Sequence, residues 1–211
     1  MDLNELSLLV QKGNAKKAKQ FVIDALEQNI SAERILNEGL IDGMSIIGAK
    51  FKNNEVFVPE VLIAARAMNA GMDILAPILT ETGIEPLGKA IIGTVKGDLH
   101  DIGKNLVKMM FKGAGIDVID LGVDVSAETF VDKAEEVGAK IVCMSSLLTT
   151  TMPYMKTIID EFEKRGIRDK YVLMVGGAPI TENFAKQIGA NLYTPDAATA
   201  AEAAKNILLN S

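Results

Sequence analysis

A change of hydrophobic period near residue 88 constrains the fold of this chain more than any other feature of its sequence. Up to residue 80, apolar residues recur at the three- and four-residue spacing of amphipathic helices, for example over residues 3–10 and 18–26. After residue 88, short apolar segments of strand length alternate with amphipathic helical segments. The sequence therefore predicts two parts, one helical and one α/β.

The second part is predicted to contain a parallel sheet covered by helices on both faces. The predicted strands are residues 90–95, 118–121, 141–144, 171–175 and a weak fifth at 191–193, and the predicted helices are residues 104–112, 127–137, 153–165, 182–188 and 197–209. Such alternation is typical of βαβ units with right-handed crossovers. We therefore expect a doubly wound, flavodoxin-like α/β fold with a five-stranded parallel sheet, whose ligands bind beyond the carboxyl ends of the strands.

The first part is predicted to be an antiparallel four-helix bundle over residues 1–80. Its last helix, residues 58–79, accommodates Pro59 because proline is tolerated in the first helical turn. Residues 81–88 contain Gly83, Pro86 and Gly88 and are predicted to be a linker. The α/β domain is then expected to cover residues 89–211.

Composition limits the classes of partner. A net charge of −6 and a pI near 5.0 argue against nucleic acid, since phosphate binding needs a basic surface. No uninterrupted run of 18 apolar residues is present, which argues against a membrane partner. Residues 1–5 lack the pattern of a signal peptide, and the single cysteine, Cys143, is typical of a reducing compartment. We expect a soluble cytoplasmic protein.

Three loops that follow predicted strands contain unusual residues. The first, residues 96–103, places the only histidine, His100, between two acids and two glycines. The loop after the third predicted strand, residues 145–151, is rich in hydroxyl groups. The loop after the fourth, residues 176–179, begins with two glycines. Neither G-x-G-x-x-G nor a P-loop sequence occurs, which disfavours a nucleotide site of the usual kinds. Lys104, in the helix after the first loop, is predicted to be solvated.

His100 has two interpretations. A loop histidine is most often solvated or hydrogen-bonded to a neighbour such as Asp98. A metal site built from protein alone needs three or four side-chain ligands, whereas this chain has one histidine and one cysteine in different loops. A single histidine suffices when a macrocycle fills the equatorial positions of the metal. Asp98 would then fix the imidazole tautomer.

The three loops together resemble those of corrinoid-binding domains. Gly97–Gly103 resembles the family's D-x-H-x-x-G, Ser145-Ser146-Leu147 its S-x-L and Gly176-Gly177 its G-G, with 41 and 28 residues between them. The helical part resembles the family's helical cap, particularly over residues 57–61 and 64–72. Both parts are similar to the small corrinoid protein of three-component methyltransferase systems and to the cobalamin-binding fragment of methionine synthase.

The resemblance implies a role for individual residues. His100 is implied to be the lower axial ligand of cobalt in cobalamin or a related corrinoid, in the base-off, His-on arrangement. Asp98 and Thr151 are implied to form a hydrogen-bonded relay behind it. Further cofactor contacts are implied for Gly97, Asp101, Ile102, Gly103, Ser145, Leu147, Thr149, Gly176, Gly177 and, in a looser alignment, Ala197. Phe57, Met68 and Met72 either shield the upper corrin face or are ordinary core residues.

The resemblance also implies a function, that of a methyl carrier. A substrate:corrinoid methyltransferase would load the cobalt, a methylcorrinoid:coenzyme M or tetrahydrofolate methyltransferase would unload it, and a reductive activating protein would restore it. A cobalamin-dependent mutase subunit, a cobalamin-based sensor and a flavodoxin-like protein without corrinoid are the alternatives. Methanol, methylamines, betaines and aryl methyl ethers all stay open as methyl donors.

Overall fold

The computed structural model describes residues 1–210, which form two compact units. The first contains Met1–Pro86 together with Gly113–Gly115, and the second contains Leu87–Lys112 and the residues from 116 onward. The change of hydrophobic period near residue 88 therefore coincides with the boundary between the two units.

The first unit is helical, as predicted. Its elements are α1 (Leu3–Gln11), α2 (Ala15–Glu27), α3 (Ala32–Arg34), a π-helical segment (Ile35–Ile41), α4 (Asp42–Lys52) and α5 (Val58–Glu81). Because α3, the π segment and α4 are continuous, the unit has four long helices. Asp2, Asn14 and Ser31 cap the helix starts through their side-chain oxygens. The helix α5 ends at Glu81, so the predicted linker loses its first residue to the helix.

The helix α5 is the core helix of this unit. Among residues 1–210 it alone is long and apolar enough to cross a membrane by length and composition, with 24 residues and a mean hydropathy of 1.4 over a window of 18 of them. Its buried side chains, which include Val61, Met68 and Leu75, pack within the unit, where α5 contacts α1, α2 and α4. Met68 is thus a core residue, whereas Phe57 is 63% exposed. The shielding role of the helical unit stays a prediction.

The second unit is the predicted five-stranded parallel sheet with helices. The strands are β1 (Lys89–Thr94), β2 (Asp117–Asp120), β3 (Ile141–Ser145), β4 (Val172–Gly176) and β5 (Leu192–Tyr193). The helices are α6 (Ile102–Gly113), α7 (Ala127–Val137), α8 (Tyr154–Lys164), α9 (Glu182–Ile188) and α10 (Ala197–Leu209). The strand order is β2-β1-β3-β4-β5, with every pairing parallel. The prediction of a doubly wound α/β fold is confirmed.

The strand order determines where a ligand can bind. The chain runs from β1 to β2 on one side of the sheet centre and from β3 to β4 on the other, so the loops after β1 and β3 diverge and leave a crevice at the carboxyl ends of these two strands. Buried aromatic side chains, Phe111, Phe130 and Phe162, fill the core beneath. The loops after β1 and β3 are those predicted to carry His100 and Thr151.

Candidate functional site

His100 lies in the loop between β1 and α6, and Asp98 holds its ring. The Asp98 carboxylate is fully buried, whereas the His100 side chain is 51% exposed. Asp98 Oδ1 lies 2.8 Å from His100 Nδ1 and accepts the His100 backbone N–H at 3.0 Å. The Thr94 hydroxyl donates to the His100 carbonyl at 2.8 Å. With Asp98 ionised, Nδ1 carries the proton and Nε2 is the basic nitrogen.

The second oxygen of Asp98 joins the loop after β1 to the loop after β3. Asp98 Oδ2 accepts the backbone N–H groups of Leu147 at 2.7 Å and Leu148 at 3.2 Å. The Thr151 hydroxyl donates to the same oxygen at 2.9 Å. The predicted pairing of Asp98 with both His100 and Thr151 is therefore present in the structure.

These hydrogen bonds keep Asp98 ionised. Burial alone would raise the pKa of the Asp98 carboxyl, but hydrogen bonds from the backbones of Leu147 and His100 and from the side chains of His100 and Thr151 outweigh it. The pKa is held well below its usual range. An ionised acceptor behind Nδ1 fixes the tautomer and the orientation of the imidazole, which leaves Nε2 as the nitrogen available for a ligand bond.

Ser146 is a member of this network that the sequence analysis missed. Its side chain is fully buried, and its hydroxyl donates to Asp98 Oδ2 at 3.3 Å and lies 2.8 Å from Thr151 Oγ1. In the motif S-x-L, Ser146 is only the variable middle residue. A hydroxyl residue directly after a buried strand was the available signal.

The remaining predicted residues lie at or just beyond the carboxyl ends of β1, β3 and β4, apart from Ala197. Ser145 is the last residue of β3, and Leu147 and Thr149 are exposed beyond it. Asp101 accepts a hydrogen bond from the Asn105 side chain at 3.0 Å. A separate observation concerns Gly97 and Gly103, for which a Cβ would have no contact shorter than 3.4 Å with the atoms around it. Ala197 begins α10 and is buried, 5% exposed.

Large apolar side chains are exposed around His100. The exposed fraction is 73% for Leu99, 80% for Ile102, 43% for Leu147 and 38% for Leu148. Leu99, Leu147 and Leu148 belong to the loops after β1 and β3, which the Asp98 hydrogen bonds bring together, and Ile102 is the first residue of α6. Clustered exposed apolar residues mark a binding surface in a protein that is not destabilised. This edge of the sheet therefore presents an apolar surface with one imidazole in it.

The two glycines at the end of β4, Gly176 within the strand and Gly177 directly after it, are explained by different features of the structure. Gly177 has a φ of +135°, and a Cβ there would lie 1.9 Å from the Ser146 carbonyl oxygen, so the protein's own backbone requires glycine. A Cβ on Gly176 would have only the Thr194 carbonyl oxygen near it, at 4.0 Å. The open space beside the sheet edge is therefore at Gly176.

The donor set fits a metal that is already held by a macrocycle. Residues 1–210 contain no group of three or more His, Cys, Asp or Glu side chains that could hold a metal ion. Cys143 is buried, and burial raises its pKa to about 12, so no thiolate is available. What the structure presents is one half-exposed imidazole whose Nδ1 is fixed, which suits a single axial bond.

Lys104 is buried, contrary to the expectation that it is solvated. Its ammonium donates to Asp120 at the end of β2, at 2.7 Å, and to the Asn105 side chain at 3.0 Å. Lys108 donates to the other Asp120 oxygen at 2.6 Å, and the Gly122 N–H donates to Asp120 Oδ1 at 3.0 Å. A buried lysine is tolerated when it is paired in this way. The pair ties the first turn of α6 to β2.

The Asp120 cluster should make stability depend on pH. Burial would raise the pKa of Asp120, but hydrogen bonds from Lys104, Lys108 and Gly122 outweigh it and lower the pKa to about 2. A carboxyl whose pKa is lower in the folded state stabilises it above the unfolded pKa of about 3.9, and this contribution disappears as the pH falls towards the folded value. Asp120→Asn should therefore reduce the free energy of unfolding by about 2 kcal/mol at pH 7, with the difference shrinking below about pH 4.

Urea unfolding of the apo-protein at neutral and acidic pH measures this effect. Asp160→Asn is the matched control, since Asp160 is an exposed partner of Lys156 on α8. An exposed pair contributes less than about 1 kcal/mol, so this control should change little at either pH. A pH-independent loss in Asp120→Asn would contradict the charge argument.

Comparison with known proteins identifies the family. Two family models, both described as B12 binding domain, match residues 88–205 and 2–76. The chain therefore belongs to the B12-binding family, and its cofactor class is cobalamin or a related corrinoid. The alternative of a flavodoxin-like protein without corrinoid is excluded by this membership.

Several proteins that are similar to this chain over most of its length are corrinoid proteins. A corrinoid protein of Desulfitobacterium hafniense (strain Y51) is 40% identical over 209 residues, 98% of this chain and 97% of that protein. Trimethylamine corrinoid protein 1 of Methanosarcina acetivorans is 40% identical over 194 residues, 91% of this chain and 90% of that protein. A chain in the crystal structure of the methanol:cobalamin methyltransferase complex from Methanosarcina barkeri has a TM-score of 0.87 at 25% identity, covering 98% of this chain and 79% of that chain.

Proposed function

We propose that this protein is a methyl carrier that binds a corrinoid base-off, with His100 Nε2 as the lower axial ligand. The observation that carries the proposal is the half-exposed imidazole whose Nδ1 is fixed by the buried Asp98 carboxylate, 2.8 Å away. Apolar residues of the two flanking loops supply a surface for the corrin ring. The open space at Gly176 is where the nucleotide tail would enter.

The residues of the site would orient the His100 imidazole and fix the position of its proton. A bound corrinoid supplies a cobalt centre that accepts a methyl group and passes it on. Asp98 holds the Nδ1 proton and so keeps Nε2 available as a ligand. The Asp98 carboxylate, 2.8 Å from Nδ1, would keep the ring oriented whether or not Nε2 is coordinated. The hydroxyls of Ser146 and Thr151 donate hydrogen bonds to Asp98 Oδ2 and so stabilise its negative charge.

Partner proteins follow from the carrier role. The names of the relatives, a trimethylamine corrinoid protein and a methanol:cobalamin methyltransferase complex, support a substrate-specific methyltransferase as the loading partner. Methylamines and methanol are accordingly the methyl donors to test first. A second methyltransferase, with coenzyme M or tetrahydrofolate as acceptor, would unload the carrier, and a reductive activating protein would repair oxidised cofactor.

The function is tested by reconstitution and methyl transfer. Apo-protein is loaded anaerobically with hydroxocobalamin, freed of excess corrinoid, reduced, and mixed with the methyltransferase partner of one of these relatives and its methyl donor. We expect one corrinoid for each chain and a shift of the absorption spectrum to the methylated form. A protein that binds corrinoid but is not methylated by any such partner would favour the mutase or sensor alternatives.

A further inference from the structure

Asp124, in the loop after β2, has a backbone conformation that favours glycine. Its φ is +56°, and the only other non-glycine residues with positive φ in residues 1–210 are Asn29 and Asn54. A left-handed backbone costs a residue with a Cβ of the order of 1 kcal/mol relative to glycine. Strain of this kind is retained where the side chain makes contacts that glycine lacks.

The contacts of Asp124 are with the loop that carries His100. Its carboxylate accepts the Gly97 backbone N–H at 2.7 Å, and its own N–H donates to the Asp98 carbonyl at 3.0 Å. These two bonds hold the peptide groups before Gly97 and after Asp98. Asp124 thereby restrains the backbone on both sides of the residue that orients the imidazole.

The loop that contains Asp124 is itself firmly attached. Its Gly122 donates to Asp120, which pairs with the buried Lys104. The Thr94 N–H donates to the Gly122 carbonyl, and the Val125 N–H donates to the Thr94 carbonyl, both at 3.0 Å. Asp124 therefore transmits the position of β1 and β2 to the His100 loop.

We propose that Asp124 is a positioning residue for His100, which holds the loop of residues 97–100 in its ligand-binding conformation before any cofactor arrives. Both restraints have protein groups as partners, so neither hydrogen bond needs a ligand in order to form. Only the measurements of cofactor binding depend on the proposed axial role of His100. Asp124 belongs to a different loop from the residues of the Asp98 relay. It bonds the backbone of Gly97 and of Asp98, and hydrogen-bonds neither the imidazole nor the Asp98 side chain.

Two variants separate positioning from a general effect on the fold. Asp124→Gly removes the acceptor and relieves the backbone strain, so its melting temperature should stay close to that of the unchanged protein. Asp124→Asn keeps an acceptor oxygen and tolerates the left-handed backbone, so it is the matched control. We expect amide exchange at His100 in the apo-protein to be about tenfold faster in Asp124→Gly and within about twofold of normal in Asp124→Asn.

The cofactor readout uses hydroxocobalamin. Its dissociation constant should rise about tenfold in Asp124→Gly, with less of the His-on absorption spectrum, and Asp124→Asn should restore both. Normal exchange at His100 in Asp124→Gly overturns the proposal. So does a parallel loss of melting temperature and binding in both variants, because that would show a structural role alone.

The two proposals fail in distinguishable ways. If the axial role of His100 is wrong, His100→Ala will leave the spectrum unchanged while the Asp124→Gly effect on exchange in the apo-protein persists. If His100→Ala alters the spectrum, but Asp124→Gly exchanges faster with unchanged affinity and spectrum, the loop does not need Asp124 to present the imidazole. That result overturns the positioning role and leaves the carrier function intact.

Discussion

Replacing His100 with alanine should leave a folded protein whose methylcobalamin complex has an altered absorption spectrum and transfers methyl far more slowly. The side chain is half exposed and lies in a loop, so little core packing is lost. Asp98 keeps its hydrogen bonds from Leu147, Leu148, Ser146 and Thr151, so the buried carboxylate is still satisfied. Substitution of a residue that only hydrogen-bonds a metal ligand typically lowers metal affinity or activity about 10–100-fold. Removal of the ligand itself should therefore lower the rate of methyl transfer by at least about 100-fold.

The measurement is a comparison of absorption spectra and melting temperatures for loaded and apo forms. Free imidazole added to His100→Ala provides the control, since it can enter the vacated position and should restore the original spectrum. A spectrum identical to that of the unchanged protein, with or without imidazole, would refute axial ligation by His100. A large fall in the apo melting temperature would instead place His100 among the structural residues.

The fold was predictable because its signals are local and repeated. Each strand of the sheet is a short apolar run, and each helix has its own amphipathic face, so α7, α9 and α10 have the predicted ends. Each of the five strands differs from its prediction by one residue at one or both ends, because an apolar run reflects burial and a strand is defined by its hydrogen-bonded pairing. The π-helical turn at Ile35–Ile41 leaves no such mark, since its residues continue the helical spacing on either side.

From the residues alone, the site was predictable only where one residue type decides the chemistry, whereas the distant pairing of Asp98 with Thr151 was implied by the family resemblance. His100 is the sole histidine, and Asp98 lies two residues before it, so their pairing follows from local sequence. Ser146, Lys104 and Asp124 act through contacts with residues 16 to 48 positions away. Such pairings depend on strand order, which the hydrophobic period does not encode. A charged or hydroxyl residue without its partner in view is most simply predicted to be solvated.

Gly176 and Gly177, at the end of β4, show how one short sequence can serve two purposes. Gly177→Ala should destabilise the apo-protein by at least about 3 kcal/mol, because the backbone is left-handed and the Cβ would lie 1.9 Å from Ser146 O. That loss would occur whether or not a cofactor binds. Only Gly176, whose Cβ would meet nothing closer than 4.0 Å, can test a channel for the nucleotide tail.

Gly176→Leu should fold normally and lose affinity for hydroxocobalamin by at least about tenfold, because the leucine fills space that the tail needs. Cobinamide, a corrinoid without the nucleotide, supplies the matched control. It should bind Gly176→Leu as well as it binds the unchanged protein, because the ring surface and His100 are untouched. Titration of both corrinoids into both proteins, with melting temperatures of the apo forms, completes the experiment. Equal losses for the two corrinoids would mean that Gly176 shapes the ring surface, and normal affinity for hydroxocobalamin would mean that the tail takes another path.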